Sequence, residues 1–359
     1  MRNKTVEEDL VYIVKPLGSK VNLLEGKTVL ITGGSGLIGS YLVDTIAFLN
    51  EKKFKKKAKV ISLQRKKIHK KDVFGHLIGR KDILFISHDS SKSYKPKEKI
   101  DFIIHSAGLS APAAFLKDPL GTIDVNVSGI RWILDYGKKH KVQSILYMSS
   151  GEIYGNPDLE NIPTPETYNG NVSTLDPRAC YTSSKRLAET LCRIYFEKYS
   201  VPVKIARPFI VYGPGLTVND KRVMAQFIKQ GIEGRPIEML NEGKDTRSYC
   251  YISDATVAFF KLLLSKENGE VFNVASDLEE ISIRDLANLV HEICGIKKQV
   301  KIKKRDEDFI RSAPSRVMPD ITKLRKTFGY NPKVNIDEGL LKTIAWNQSL
   351  LGASKSRSN

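Results

Sequence analysis

Thr28-Val-Leu-Ile-Thr32 runs directly into Gly33-Gly-Ser-Gly36-Leu37-Ile38-Gly39, and this junction decides the fold. The first five residues are apolar and β-branched, as in a strand buried on both faces of a parallel sheet. The glycines then recur as G-x-x-G-x-x-G. Residues without a Cβ permit a tight turn and let backbone N–H groups approach a pyrophosphate at a helix N-terminus. Leu37 to Leu49 has the pattern of that helix. A glycine turn with no ligand is the competing reading; a strand before it and a helix after it favour the dinucleotide site. Gly33, Gly36, Leu37, Ile38 and Gly39 are therefore the expected cofactor contacts.

Outward from that junction, strands and helices alternate. Strands are expected at Val60–Leu63, Ile83–Ile86, Phe102–His105, Ile145–Met148 and Val203–Ala206, and helices at Thr122–His140 and Tyr181–Tyr199. The alternation predicts an α/β fold, a doubly wound parallel Rossmann sheet. After Arg207 the pattern loosens, broken by Pro208, Gly213, Pro214 and Gly215. Residues 207–350 are expected to form mainly a smaller α/β substrate lobe, interleaved with the 27–206 cofactor domain. Within it, Ser282-x-x-Asp285 has the form of a helix cap. Residues 1–26 read as an N-terminal extension, a helix or an arm used in oligomer contacts. Residues 351–359 read as a disordered tail.

With 359 residues and 41% hydrophobic content, the chain can bury a large core. No run approaches the roughly 20 apolar residues that span a bilayer. Met1 to Leu10 is polar and acidic, so no secretory leader is expected. Cys180, Cys192, Cys250 and Cys294 lack close-paired spacing. They read as reduced thiols of a cytoplasmic protein, with neither a disulfide framework nor a metal site. Lysine and arginine number 58 against 40 acids, a net charge of +18, concentrated partly in Lys52-Lys53-Phe54-Lys55-Lys56-Lys57. Aromatic residues do not alternate with the basic ones as a stacking platform requires. A solvated lysine-rich surface is thus favoured over a nucleic-acid partner, and no membrane partner is expected. A basic protein also attracts an anionic substrate such as a nucleotide sugar.

Tyr181-Thr-Ser-Ser-Lys185 carries the chemistry. Residues four apart share a helix face, and a cation there favours the phenolate, so Tyr181 can act as a base nearer neutral pH. Ser149-Ser150-Gly151-Glu152 follows the fifth strand, where a doubly wound fold places its ligands. Ser150 could hydrogen-bond the alcohol that Tyr181 deprotonates, and Glu152 could move a proton nearby. A turn cap and an exposed carboxylate are the plain alternatives. An acid commonly ends the second strand and holds the ribose of NAD; here Leu63 is followed by Gln64 and Arg65. Arg65 either meets the 2′-phosphate of NADP or is surface charge. Asp89 either contacts the adenine through a neighbouring amide or is an ordinary turn aspartate.

From about residue 27 to 345 the chain resembles the extended short-chain dehydrogenase/reductases, the NAD-dependent epimerase/dehydratase family. The glycine turn, His105-Ser106-Ala107-Gly108, Asn126, Ser149-Ser150, Tyr181-x-x-x-Lys185 and Arg207-Pro208 match in order. Within the family it is similar to the UDP-glucuronate decarboxylases. The stretches that carry this are Ser87-His-Asp89, Asp176-Pro-Arg-Ala-Cys-Tyr181, Lys185-Arg-Leu-Ala-Glu189, Asn219-Asp-Lys-Arg222, Thr246-Arg247 with Tyr251, and Ser315-Arg316-Val-Met-Pro-Asp320. The resemblance implies that Ser150, Glu152, Tyr181, Lys185 and Arg316 carry the chemistry. It puts Arg222, Arg247 and Tyr251 near the nucleotide diphosphate or base, and Ala107, Tyr181 and Lys185 beside the cofactor. It also implies a retained NAD, with NADP open, and a homodimer built on the tyrosine helix. The chain departs from that subgroup at Thr182-Ser183-Ser184, usually Asp-Glu-Gly, and at Ile210, usually asparagine.

The expected reaction begins with oxidation of a sugar 4-hydroxyl by Tyr181, helped by Lys185 and Ser150. The 4-ketone lies β to a carboxylate on carbon 5, so carbon dioxide can leave; Arg316 could orient that carboxylate. A 4-epimerase needs only oxidation and reduction from the other face. A 4,6-dehydratase usually carries an Asp-Glu pair, incomplete here because Gly151 precedes Glu152. A catalytically silent Rossmann protein that binds nucleic acid or regulates a partner is the reading from another class.

Overall fold

The computed structural model describes residues 2–65, 67–68, 75–297, 300–302 and 314–355. Its centre is a parallel sheet of seven strands. Six are β1 (Thr28–Thr32), β2 (Lys59–Gln64), β3 (Ile83–Ser87), β4 (Phe102–His105), β5 (Ser144–Met148) and β6 (Val203–Pro208). The order is β3-β2-β1-β4-β5-β6, followed by a strand at Val271–Val274. Each pairing is parallel, with Val29 opposite Val60 on one side and Phe102 on the other.

Helices cover both faces, which is why β1 is apolar throughout rather than alternating. Val29 and Ile31 join the core on one face, Leu30 the core on the other, as the two-residue strand period requires. The first face carries α1 (Lys4–Val14), α2 (Leu37–Lys52) and a helix at Ile252–Leu263. On the chain between β4 and β6 lie α3 (Pro112–Lys117), α4 (Pro119–His140) and α5 (Ala179–Tyr199). Ile130, Ile133 and Leu134 of α4 and Ala188, Cys192 and Tyr195 of α5 fill the second core.

The N-terminal extension is not a detached arm. Val6, Leu10, Ile13, Leu17, Val21 and Leu24 are buried in this chain's own core, so the apolar face is already used. Asp9, on that face, accepts hydrogen bonds from Tyr41 at 2.7 Å and Tyr251 at 2.9 Å. The 207–350 segment is interleaved with the sheet through Val271–Val274, which pairs with β6. Its other strands are short: 246–247 lies between 281–282 and 316–317, and 210–212 pairs with 249–251. Ser282 caps the helix Ile283–Ile293 by accepting from the Asp285 amide at 3.0 Å. Residues 351–355 continue the last helix, Ile336–Lys355, rather than forming a loose tail; 356–359 lie outside the described residues.

Candidate active site

The strands of a parallel sheet all end at one edge, and the motif residues collect there. Gly33 has φ of +72°, and a Cβ on it would lie 2.7 Å from the Ser106 carbonyl oxygen. A Cβ on Gly39 would come within 2.2 Å of the Gly33 carbonyl oxygen, so α2 packs directly on the turn. Gly36 caps α2 with no side chain on its amides. The first-turn amides, Leu37 and Ile38 among them, therefore have no intrahelical acceptor and sit at the positive end of the helix dipole. This cradle of bare backbone fits a dinucleotide pyrophosphate. Thr32 braces it: its hydroxyl lies 2.8 Å from His105 Nδ1 and accepts from the Ala107 amide at 3.2 Å. Burial pushes His105 down to about 3, so the imidazole is neutral.

Beyond the cradle, Gln64 is buried and accepts from the Ser62 hydroxyl at 2.9 Å, while Arg65 is exposed. Asp89 closes a local turn, accepting from the Ser91 amide at 3.0 Å and hydroxyl at 2.8 Å. These bonds hold its carboxyl below the usual range. Its carboxylate is thus engaged as a turn aspartate is.

Ser150 caps the short turn Gly151–Tyr154 and accepts from the Glu152 amide at 3.2 Å. Tyr181, on the first turn of α5, is buried with its ring stacked on Phe115 of α3 at 4.9 Å between centroids. Burial pushes its phenol up to about 12, against a hydrogen bond with Ser150 that draws it down.

Lys185 acts differently from the expectation. Its ammonium donates to the Met148 carbonyl at 2.7 Å and lies 5.9 Å from the centre of the Tyr181 ring, but 5.0 Å from that of Tyr147. Helical spacing puts Tyr181 and Lys185 on one face, yet the lysine reaches back to the end of β5. Burial also pulls Lys185 down, to about 8, against the opposing charge of Glu189.

Glu152 forms an ion pair with Arg178, whose guanidinium is buried. Arg247 stands near enough for the Glu152 charge to act on it; burial dominates and lowers its pKa. Its guanidinium donates to the Pro314 carbonyl at 2.6 Å and that of Ser315 at 3.1 Å, tying the 246–247 strand to 314–317. Arg316 is in that same small sheet, opposite Thr246, but its guanidinium grips Glu280 at 2.7 and 2.8 Å. Arg222 precedes the helix Val223–Ile232 and pairs with Asp220 at 2.7 Å. Tyr251 is not brought to the site. It has no exposed surface and its hydroxyl is committed to Asp9.

Sequence reasoning left two groups unassigned. Arg178 lies three residues before Tyr181, a spacing that shares a face and could have marked it. Glu189 and Arg207 form a partly buried two-bonded pair at 3.0 and 2.7 Å, and Arg207 also donates to Tyr154 at 2.7 Å. This pair locks α5 to β6. Gly151 packs against Phe209, whose ring would have to shift to admit a side chain there.

A dinucleotide cradle facing a buried serine and tyrosine defines a nicotinamide-dependent enzyme that oxidises and reduces an alcohol carbon. The model of the NAD dependent epimerase/dehydratase family matches residues 29–275, and the chain belongs to that family. It is an NAD-dependent enzyme of this class. UDP-glucuronic acid decarboxylase 5 of Arabidopsis thaliana is 34% identical over 312 residues, covering 87% of this chain and 86% of that protein. The solved structure of an epimerase from Methanothermobacter thermautotrophicus is 25% identical, with a TM-score of 0.80, covering 95% of this chain and 98% of that one. A UDP-glucuronic acid 4-epimerase from Bacillus cereus, solved with UDP-glucuronic acid and NAD, shares the fold at 24% identity. Its TM-score is 0.75, covering 90% of this chain and 99% of that one.

Proposed function

We propose that this protein decarboxylates UDP-glucuronate through a 4-keto intermediate, giving UDP-xylose when the hydride is returned to carbon 4 and NAD is regenerated, or the 4-keto pentose when it is not, which would leave the cofactor reduced. The observation that carries this is the Glu152–Arg178 pair beside Ser150 and Tyr181, in a chain 34% identical to a UDP-glucuronic acid decarboxylase. Gly33, Gly36, Leu37, Ile38, Gly39 and Ala107 hold the dinucleotide, which supplies the hydride acceptor when bound. Ser150 and Tyr181 bind the sugar 4-hydroxyl, and Tyr181 takes its proton. Lys185 fixes the end of β5 and keeps a positive charge behind the tyrosine. The resulting β-keto acid loses carbon dioxide, and Glu152, held by Arg178, manages the proton at carbon 5. Arg222 and Arg247 meet the nucleotide diphosphate. Arg316 meets the substrate carboxylate after releasing Glu280.

A 4-epimerase is the second reading, favoured by one observation: Arg316 is already satisfied by Glu280. A dehydratase is disfavoured, because the aspartate it would carry at position 151 would force the Phe209 ring to shift. Incubation of the purified protein with UDP-glucuronate and NAD, read by mass spectrometry, tests these. Loss of carbon dioxide is expected. An unchanged mass with a new 4-epimer would establish the epimerase instead, and no turnover on any nucleotide sugar would overturn the enzyme assignment.

A cytoplasmic homodimer completes the proposal. The four cysteines are free thiols. Leu120 and Ile123 of α4 and Leu187 and Ile194 of α5 are exposed apolar residues on the helices that would pair. Light scattering should give twice the chain mass, and Leu187→Glu with Ile194→Glu should give monomers.

A further inference from the structure

The sequence presents Lys52–Lys57 as solvated charge, but the fold gathers that run with two others. Residues 52–57 lead into β2, Lys95-Pro96-Lys97-Glu98-Lys99 into β4, and Lys138-Lys139-His140-Lys141 into β5. Parallel strands all start at one edge, and β2, β1, β4 and β5 are neighbours. Backbone bonds join their starts: Lys59 to the Lys27 carbonyl at 2.8 Å, Asp101 to that of Thr28 at 2.9 Å, and Gln143 to that of Asp101 at 2.8 Å. At ordinary strand spacing the four starts span about 15 Å. Every lysine of the three runs is exposed. Glu98, the acid within them, is paired with Lys59. The neighbouring Glu25 carboxylate is taken by the Lys55 and Lys56 amides.

We propose that this edge is a docking face for an anionic membrane surface. The three runs contain lysine and no arginine. Arginine's planar fork suits base edges and bidentate phosphate contacts, whereas lysine is a flexible point charge drawn to a field of lipid headgroups. Two partly exposed side chains of interfacial character belong to the same edge. Leu23 precedes β1, and Tyr199 precedes β6 with the Lys138 ammonium 3.5 Å over its ring. Tyrosine presents an apolar body and a polar tip, which suits a membrane boundary. Among the described residues no helix is long and apolar enough to cross a membrane, so attachment would be peripheral. The cofactor cradle lies at the other end of the strands, about 17 Å away for five residues, and stays open to solvent when this edge is covered.

Sedimentation of the full chain with vesicles tests it. Binding to vesicles containing phosphatidylserine or phosphatidylglycerol is expected, released by high salt, with none to phosphatidylcholine alone. Each lysine near such a surface contributes about fivefold. A Lys55→Glu, Lys97→Glu, Lys139→Glu variant should bind at least tenfold more weakly, with unchanged melting temperature and nucleotide-sugar turnover. A Lys92→Glu, Lys117→Glu, Lys244→Glu variant carries the same charge change elsewhere and should bind nearly as the parent does. Equal losses in both variants would mean that net charge alone acts, and would overturn the assignment. So would equal binding to neutral vesicles, no binding, or capture by free phosphate or duplex DNA that competes the protein off anionic vesicles at equal phosphate concentration.

Discussion

A Cβ on Gly151 would lie 2.8 Å from the ring of Phe209, inside van der Waals contact. This relationship bears on which reaction follows the 4-ketone, because a dehydratase would place its aspartate at that position. Gly151→Asp should therefore destabilise the protein by about 1–3 kcal/mol, the usual cost of overpacking, rather than confer loss of water. Thermal melts and product masses check both halves. Combining it with Phe209→Ala should cost less than the two single changes added together, since the second substitution opens the space. Simple additivity would show that the contact is not the cause.

Glu152 is held by a buried guanidinium, so its two partners should fail in different ways. Glu152→Gln keeps the shape and loses proton transfer, and should reduce carbon dioxide release by about 100-fold or more. Arg178→Ala removes the group that aims the carboxylate, and should lower both turnover and the melting temperature. Parallel measurement of carbon dioxide release and reduced-cofactor absorbance checks the first case. Glu152→Gln should let reduced cofactor build up on mixing with UDP-glucuronate, because oxidation precedes the step it blocks. Full-rate release by Glu152→Gln would remove the carboxylate from the mechanism.

Tyr181→Phe should abolish turnover, with a loss of at least about 100-fold, while NAD still binds. Lys185→Met has a second signature that activity does not report. Its ammonium is pulled down to about 8 from 10.5 by burial. Between those values the unfolded chain holds a proton that the folded chain has released, so stability rises with pH across about 8 to 10.5. The shift corresponds to on the order of 3 kcal/mol. The methionine variant should lack that rise and melt higher than the parent, relative to it, near pH 7. A melting difference that stays constant from pH 7 to 10.5 would contradict the buried, strained charge.

Local pattern was enough where local chemistry dominates. The bounds of β1 and β4 agree with expectation because both strands are continuous apolar runs buried on two faces. The glycine cradle, Ser150 and Tyr181 were legible for the same reason: each is fixed by its own turn or helix. The strand Val271–Val274 was not, because Asn273 interrupts its apolar run. That asparagine is fully buried and satisfied by the Thr164 and Asp320 carbonyls at 3.0 Å each. Tyr251 and Arg316 sit in motif-like stretches, but their partners, Asp9 and Glu280, are distant in sequence. The separation is 242 residues for the first and 36 for the second. Nothing near either residue announces that its polar group is already engaged.

The docking of the N-terminal extension should be sensitive to acid in a defined direction. Asp9 is 1% exposed, and burial pushes its carboxyl up to about 6, against hydrogen bonds from Tyr41 and Tyr251 and the charge of Lys342. Its ordinary value is 3.8. Between the two, the folded protein keeps a proton that the unfolded chain has lost. The contribution of Asp9 is thus most favourable below about pH 4 and is lost as pH rises through 6. A shift of this size is worth on the order of 3 kcal/mol. Asp9→Asn cannot ionise, so its stability relative to the parent should improve by about that amount between pH 4 and pH 7. Chemical denaturation of both proteins across that range measures it, with other titrating groups cancelling in the difference. A constant gap between the two curves would mean that Asp9 enters the core already charged.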